Sequence, residues 1–251
     1  MRITSYGQSD IGKKRKNNED SFLIDHDISL YIVCDGMGGH AGGEQASSTA
    51  VETIGDVLKT LSSSRNLTFS SSEKDLPEAV NMLKYAIKKA SNQIYEKSKN
   101  DPILKGMGTT CTALWIRNNH VHIAHVGDSR AYLVRGGTIQ QVTEDHSWVR
   151  EQVKAGLLSP EEAKLHSYKN IITRSVGFEE DVKIDTFTKD IQPGDTYVLC
   201  SDGMSNNVKD EDILKIITTS PVKEACLRLL SSAIDKGGDD NITAIVVAIE
   251  T

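Results

Sequence analysis

Apolar and polar positions divide the chain into short strand-like runs and longer helical ones. Leu30-Tyr31-Ile32-Val33-Cys34 is a continuous apolar run that stops at Asp35-Gly36, the pattern of a buried strand. Ala46, Ala50, Val51, Ile54, Val57, Leu58 and Leu61 then recur every three or four residues, which predicts an amphipathic helix. The serine-rich stretch 62–72 reads as a loop. Asp75, with Glu78 three residues on, has capping-box spacing, and Val80, Leu83, Ile87, Ala90 and Ile94 behind it predict a second helix.

From 109 to 142 the texture changes. Four short strands are predicted over 110–116, 120–126, 131–134 and 138–142, separated by Asn118-Asn119, Gly127-Asp128 and Gly136-Gly137. Links this short cannot cross over to a parallel neighbour, so they predict one antiparallel meander. A short helix over 147–155 closes at Gly156, and Ser159-Pro160-Glu161-Glu162 has the N-cap, first-position proline and third-position glutamate of another. Two short helices after a meander suggest a small surface subdomain. Pro193-Gly194-Asp195 turns into a strand over 196–201, which ends at Asp202-Gly203. Helices are expected from about Asp210 and Pro221, the last strand over 242–249, and the first strand over 21–24 just after Asp20. Strands come in blocks and helices in pairs, without regular alternation, which predicts α+β layers with helix pairs on antiparallel sheets. Without a linker or low-complexity segment, 1–251 reads as a single domain.

The composition narrows the function. The chain has 251 residues, 29 basic and 35 acidic, for a net charge of −6. A dedicated nucleic-acid binder needs the opposite balance or a large basic face, so no nucleic-acid partner is expected. No apolar run approaches the ~18 residues of a membrane span, and the amino-terminal residues carry no signal-like apolar segment. The expectation is a cytoplasmic protein without a membrane partner. Cys34, Cys111, Cys200 and Cys226 form no C-x-x-C pair, which fits buried, reduced thiols better than zinc or a redox dithiol.

The most informative feature is an echo. Tyr-Ile-Val-Cys-Asp35-Gly-Met returns as Tyr-Val-Leu-Cys-Ser-Asp202-Gly-Met. One Asp-Gly is an ordinary turn dipeptide. Yet Asp128 also follows a strand, and Asp20 and Asp240 precede strands, so five aspartates stand at strand rims. Carboxylates gathered there repel each other unless cations sit among them. Oxygen-only ligation selects Mg²⁺ or Mn²⁺, and a bridging carboxylate holds two ions about 3.5–4 Å apart in two-metal hydrolases. His120 and His122 share a strand face, but nothing nearby completes a metal site.

Six segments occur in order: Arg15-Lys16-Asn17-Asn18-Glu19-Asp20, Asp35-Gly36-Met37-Gly38-Gly39-His40, Gly108-Thr109-Thr110, Gly127-Asp128-Ser129-Arg130, Cys200-Ser201-Asp202-Gly203 and Asp239-Asp240-Asn241-Ile242-Thr243. Together they resemble the motif series of metal-dependent type-2C serine/threonine protein phosphatases, most closely the bacterial branch, over nearly the whole chain. The resemblance implies a four-layer α-β-β-α sandwich, two antiparallel sheets flanked by helix pairs, with a mobile flap over about 143–175. It also implies hydrolysis of phosphoserine and phosphothreonine on proteins by direct attack of a metal-bridging hydroxide, in opposition to a Ser/Thr protein kinase.

The same resemblance distributes roles. Asp35 would bridge two Mn²⁺ or Mg²⁺ ions, with the Gly36 carbonyl on one of them and Asp202 and Asp240 on the other. Asp20, beside Glu19, would hold metal-bound water. Asp128, with Asp202, would hold a weaker third ion. Asn241 would support the site from behind, as would Glu19. Arg15 would grip the phosphate with its planar fork of donors. His40 is the candidate general acid, because imidazole titrates near working pH, and a metal-bound water is the alternative. In animal enzymes of this kind a histidine directly follows the Asp-Gly, whereas here Met37-Gly38-Gly39 intervenes. A monomer acting on phosphorylated proteins is expected.

Other matches compete. Gly36-x-Gly38-x-x-Ala41 imitates a dinucleotide fingerprint but lacks a second parallel strand within reach. Cys111 and Arg117 have the spacing of a cysteine-phosphatase loop, although the residues between them have strand composition. Lys13-Lys14-Arg15-Lys16 is ordinarily a solvated charge run; here the lysines would attract phosphorylated substrates by their field. His146 and Ser147 read as a local cap. Two further functions are a catalytically dead phosphoprotein-binding module, disfavoured because every site position is filled, and a hydrolase of phosphodiesters.

Overall fold

The structure is a computed structural model that describes residues 2–38, 42–63 and 76–250. In chain order the strands are β1 (Arg2–Asp10), β2 (Asp20–Asp25), β3 (Leu30–Met37), β4 (Gly108–Thr109), β5 (Cys111–Arg117), β6 (His120–Val126), β7 (Arg130–Arg135), β8 (Thr138–Gln141), β9 (Asp185–Asp190), β10 (Thr196–Cys200) and β11 (Ile242–Glu250). The helices are α1 (Gly42–Ser63), α2 (Glu78–Asn100), α3 (Trp148–Lys154), α4 (Pro160–Leu165), α5 (Asp202–Ser205), α6 (Asp210–Thr219) and α7 (Val222–Asp235). One sheet runs β1-β11-β10-β7-β8 and the other β2-β3-β5-β6-β9, with β4 added beside β3. Every named pairing is antiparallel.

Strand alternation builds three apolar layers from one sequence. On β3, Leu30, Ile32 and Cys34 pack under α1 and α2, while Tyr31 and Val33 face the other sheet. On β11, Ala244 and Val246 pack under the carboxyl-terminal helices, while Ile245, Val247 and Ile249 face inward. Side chains two residues apart share a face, so both faces of these central strands are apolar and both are covered. The result is the expected α-β-β-α sandwich. Among the described residues no helix is long and apolar enough to cross a membrane.

The alternation also aims the rim residues. Asp35 follows Tyr31 and Val33 on the inward face and lies opposite Asp20 in the β2–β3 register. Thr243 precedes Ile245 on the inward face of β11. The polar ends of both sheets therefore meet at one edge of the inter-sheet layer.

Several elements differ from the sequence expectation. The first strand is β1, not the segment after Asp20. As an edge strand it alternates polar and half-buried residues, so it carries no apolar run. β9 is likewise an edge strand, with Phe187 as its large apolar residue. The expected single meander is two hairpins in different sheets. β5–β6 belongs to one, β7–β8 to the other, and the turn at Gly127-Asp128 carries the chain between them. Local pattern shows that strands are antiparallel neighbours in sequence; it does not show that β6 pairs β9 and β7 pairs β10. Asp35-Gly36 is also not a turn, since β3 continues through Met37 to pair with β4. α1 runs on through Ser63, two residues into the stretch 62–72 expected as a loop, because the helix ladder continues past Leu61; the rest of that stretch and the Asp75 cap lie outside the described residues.

The segment after β8 holds α3 and α4. Ser147 caps α3 by accepting from the Arg150 N–H, and Ser159 with Glu162 forms a reciprocal capping box on α4. Isolated helices this short are marginal, so caps and docking decide whether they persist. Docking comes from both ends of the segment. The His146 N–H donates to the Gly127 carbonyl at 2.7 Å, and the Thr173 N–H donates to the His146 carbonyl at 2.8 Å.

Candidate metal centre and active site

Asp20 and Asp35 sit on neighbouring strands of one sheet, and Asp202 and Asp240 flank β10 and β11 of the other. Asp128 lies on the turn between sheets. The structure brings all five together. Asp35 and Asp202 lie close enough to act on each other's carboxyl, and each of the other carboxylates acts electrostatically on at least one of these two. Burial, then repulsion from Asp20, Asp202, Asp128 and Asp240, drives the Asp35 carboxyl well above its usual range. Burial raises Asp20 to about 7 against hydrogen bonds from Thr243 and Ser201. Burial with Asp202 and Asp145 nearby raises Asp128 to about 8. Asp202 is raised by burial and by Asp240.

Such a cluster is unfavourable by itself, and perturbation by both burial and like charge marks a functional site more often than a structural one. The donor set suits a hard cation. Asp20 Oδ2 accepts from Ser201 Oγ at 2.8 Å and Thr243 Oγ1 at 2.7 Å, which tie it to the opposite sheet. Its other oxygen, Oδ1, is buried with no hydrogen-bond partner among the described residues. A buried carboxylate oxygen left open costs free energy unless something positive or a donor reaches it. Among the described residues no three His, Cys, Asp or Glu side chains close around a point by themselves. Mg²⁺ and Mn²⁺ keep several waters and need no all-protein cage.

Glycines let backbone enter the site. A Cβ on Gly36 would overlap the carbonyl oxygens of Gly43 and Glu19, and one on Gly203 would overlap the carbonyl of Asn241. The Gly36 N–H donates to the Glu19 carbonyl at 3.1 Å, and the Asp35 N–H donates to Thr110 Oγ1 at 2.9 Å. Thr109 Oγ1 donates to the Asp35 carbonyl at 2.9 Å. These contacts hold the backbone that carries Asp35. Asn241 organises the opposite wall. Its Oδ1 accepts from the Glu19 N–H at 2.8 Å, and its Nδ2 donates to the carbonyls of Ile11 and Asn17 at 3.0 and 2.9 Å.

Arg15 is exposed and donates from Nη2 to Asp240 Oδ2 at 2.7 Å, which places its guanidinium at the cluster's edge. Lys14 pairs with Asp239 beside it. His40 lies outside the described residues. The hydroxyls of Ser201 and Thr243 had no separate signal in the sequence, although both stand inside motif segments. His146 is no simple cap. It is buried and bonded to Gly127, with Asp185 and Arg174 against its far nitrogen. Ser147 does cap α3.

The decoys resolve on backbone grounds. Cys111 opens β5, fully buried, with its backbone in the ladder to β6, so no phosphate-cradling loop surrounds it. All four cysteines are buried and free. β3 leads to α1, but its neighbours are antiparallel, which is not a dinucleotide fold. His120 and His122 stack at 5.9 Å, and His122 Nδ1 bonds Thr188 across the strands.

A family model described as protein phosphatase 2C matches residues 7–237. A serine/threonine phosphatase, stp, from Listeria welshimeri is 38% identical over 246 residues, covering 96% of this chain and 93% of its own. The crystal structure of the Mycobacterium tuberculosis serine/threonine phosphatase PstP/Ppp superposes with a TM-score of 0.87 at 33% identity, covering 99% of both chains. A PstP catalytic domain in complex with two manganese ions superposes with a TM-score of 0.84 at 32% identity, again over 99% of both chains. With its fold, motif order and rim carboxylates all in agreement, the chain belongs to the protein phosphatase 2C family.

Proposed function

We propose that the chain is a metal-dependent phosphatase that removes phosphate from phosphoserine and phosphothreonine on proteins and so opposes a Ser/Thr protein kinase. The observation that carries this reading is the open, buried Oδ1 of Asp20 within a cluster of carboxylates that raise each other. Two divalent ions, Mn²⁺ or Mg²⁺, fit that donor set, as does a weaker third. Asp35 would be held in common by the two ions, with the Gly36 carbonyl on one and Asp202 and Asp240 on the other. Asp20 would orient water. Asp128 and Asp202 would hold the third ion. When bound, the ions supply Lewis acidity and a water acidic enough to ionise near neutral pH.

The chain's own residues do the rest. Arg15, exposed on a flexible stem, can turn its fork of donors from Asp240 to a phosphoryl group. Asn241 and the Ser201 and Thr243 hydroxyls hold the carboxylates' backbone and Asp20 in place, so little reorganises during reaction. His40, or a bound water, would protonate the leaving alkoxide. The segment 143–175 would act as a flap over the site, and 1–251 as one catalytic unit, monomeric and cytoplasmic.

The test is phosphate release from a phosphothreonine peptide with Mn²⁺, with chelator, and with Asp202→Asn. Release is expected with Mn²⁺ alone. Turnover that persists in chelator and in the variant refutes the proposal.

A further inference from the structure

The segment 143–175 begins and ends on one imidazole. His146 is 5% exposed. Its backbone N–H and its ring both engage Gly127: the N–H donates to the Gly127 carbonyl at 2.7 Å, and Nδ1 accepts the Gly127 N–H at 3.1 Å. A ring that accepts at Nδ1 carries its proton on Nε2. From there it donates to Asp185 Oδ2 on β9 at 3.2 Å. Arg174, at the far end of the segment, lies 3.2 Å from Nε2 and donates to Asp185 Oδ1 at 3.0 Å. Both ends of the segment, an edge strand and the turn between the sheets therefore converge on this ring.

That turn carries Asp128. Gly127 has φ +106°, and a Cβ there would strike Thr110, so the turn fits one tight geometry. After Asp128, Ser129 is held through its Oγ to Thr110 at 2.7 Å and through its carbonyl to Thr112 Oγ1 at 3.0 Å. Asp128 is thus aimed by its backbone, gripped on one side by Ser129 and on the other by Gly127. The Gly127 grip is made by His146.

A buried histidine that satisfies a backbone N–H is often only a core fitting. Here the N–H it satisfies is one residue from a site carboxylate, and the ring's other nitrogen reaches the end of the flap. We propose that His146 is a positioning residue that couples the seating of the flap to the aim of Asp128. The idea rests on the reading of Asp128 as a ligand of the weaker ion. Partners behind a ligand of this kind tune its affinity without touching the ion.

The experiment compares His146→Asn with His146→Gln. The asparagine oxygen takes the place of Nδ1 and can accept from Gly127 but falls short of Asp185. The glutamine amide reaches toward Asp185 but leaves the Gly127 N–H without an acceptor. Mn²⁺ binding is followed by calorimetry, and amide exchange is followed at Gly127. In His146→Gln, the weakest Mn²⁺ step should loosen by about tenfold and Gly127 should exchange at least about tenfold faster, whereas His146→Asn should stay within about threefold of the parent in both. Tighter Mn²⁺ steps should not move in either variant. Equal behaviour of the two variants, or a uniform loss in every Mn²⁺ step, overturns the coupling. Asp128→Asn is the control. If it leaves the Mn²⁺ isotherm intact, the ligand reading of Asp128 fails, and Gly127 exchange in the two His146 variants still decides whether the ring holds the turn.

Discussion

Arg15 Nη2 donates to Asp240 Oδ2 at 2.7 Å, so the residue read as the phosphate grip is paired with a residue read as an ion ligand. The two side chains are 51% and 36% exposed, which makes the pair solvent-screened and easily exchanged. Cations and Arg15 then compete for the same carboxylate, and a cation that takes Asp240 leaves the guanidinium available to substrate.

Arg15→Ala separates the two roles. Loss of a charged fork on phosphate should raise KM for a phosphopeptide by about tenfold or more, about 1.4 kcal/mol. Mn²⁺ binding should tighten by about two- to fivefold, in line with the up to about 1 kcal/mol that an exposed pair contributes. Steady-state kinetics and calorimetry on the same preparation check both. Weaker Mn²⁺ binding in the variant would contradict the competition.

Acidity should stabilise the protein in chelator. Asp20 is raised to about 7, Asp128 to about 8, and Asp35 and Asp202 are also raised. A carboxyl raised in the folded state binds more protons there than in the unfolded chain. Its contribution is complete below the unfolded value near 4 and is lost as pH rises through the folded value. Thermal melts in chelator should therefore show Tm falling from pH 6 to pH 8. With saturating Mn²⁺ the slope should flatten or reverse, because protons and ions compete for the same oxygens. A Tm in chelator that rises across this window counts against the raised carboxylates.

A residue's own neighbours in sequence disclose its strand or helix, whereas its partners across the fold stay hidden. Asp35, Asp202 and Asp240 were legible because an aspartate beside an apolar strand is a local signal, and strand ends gather at sheet rims. The two sheets were not legible as drawn, because the partition between β5–β6 and β7–β8 depends on β9 and β10, which lie far along the chain. His146 was invisible for the same reason. Asp145-His146-Ser147 before a helix looks like a cap, whereas its partners Gly127 and Asp185 are 19 and 39 residues away. β1 was missed because an edge strand needs little apolar patterning.

Two glycines should respond differently to alanine. Gly203 has an ordinary φ, but its added Cβ would overlap the Asn241 carbonyl and so force Asp202 away from Asp240. Gly203→Ala should cost about 1–3 kcal/mol by overpacking and also reduce phosphatase activity. Gly136 sits in the β7–β8 hairpin at φ +56° with open space around it. Gly136→Ala should cost about 1–2 kcal/mol through its left-handed backbone alone, with kcat/KM unchanged. Denaturant unfolding and peptide kinetics distinguish them, and parallel losses in both variants would mean that Gly203 makes no special contact.

The carboxylate cluster should trade stability for function. In chelator, Asp35 faces Asp20, Asp202, Asp128 and Asp240 across a buried rim, and its ionised form is opposed by all four. Asp35→Asn keeps the shape and removes one repelling charge. Its Tm in chelator should rise by about 2–4 °C, the equivalent of about 1 kcal/mol in a chain of this size. The same variant should lose phosphatase activity by at least about a hundredfold, because preorganised charge at the reacting group is the largest catalytic contribution in such sites. The gain in Tm should shrink as pH is lowered, because the raised carboxyl takes up a proton and its repulsion disappears. A variant that is less stable than the parent in chelator at pH 8, or that keeps its activity, would show that Asp35 is a fold residue and that its repulsion from the neighbouring aspartates is not maintained for the reaction.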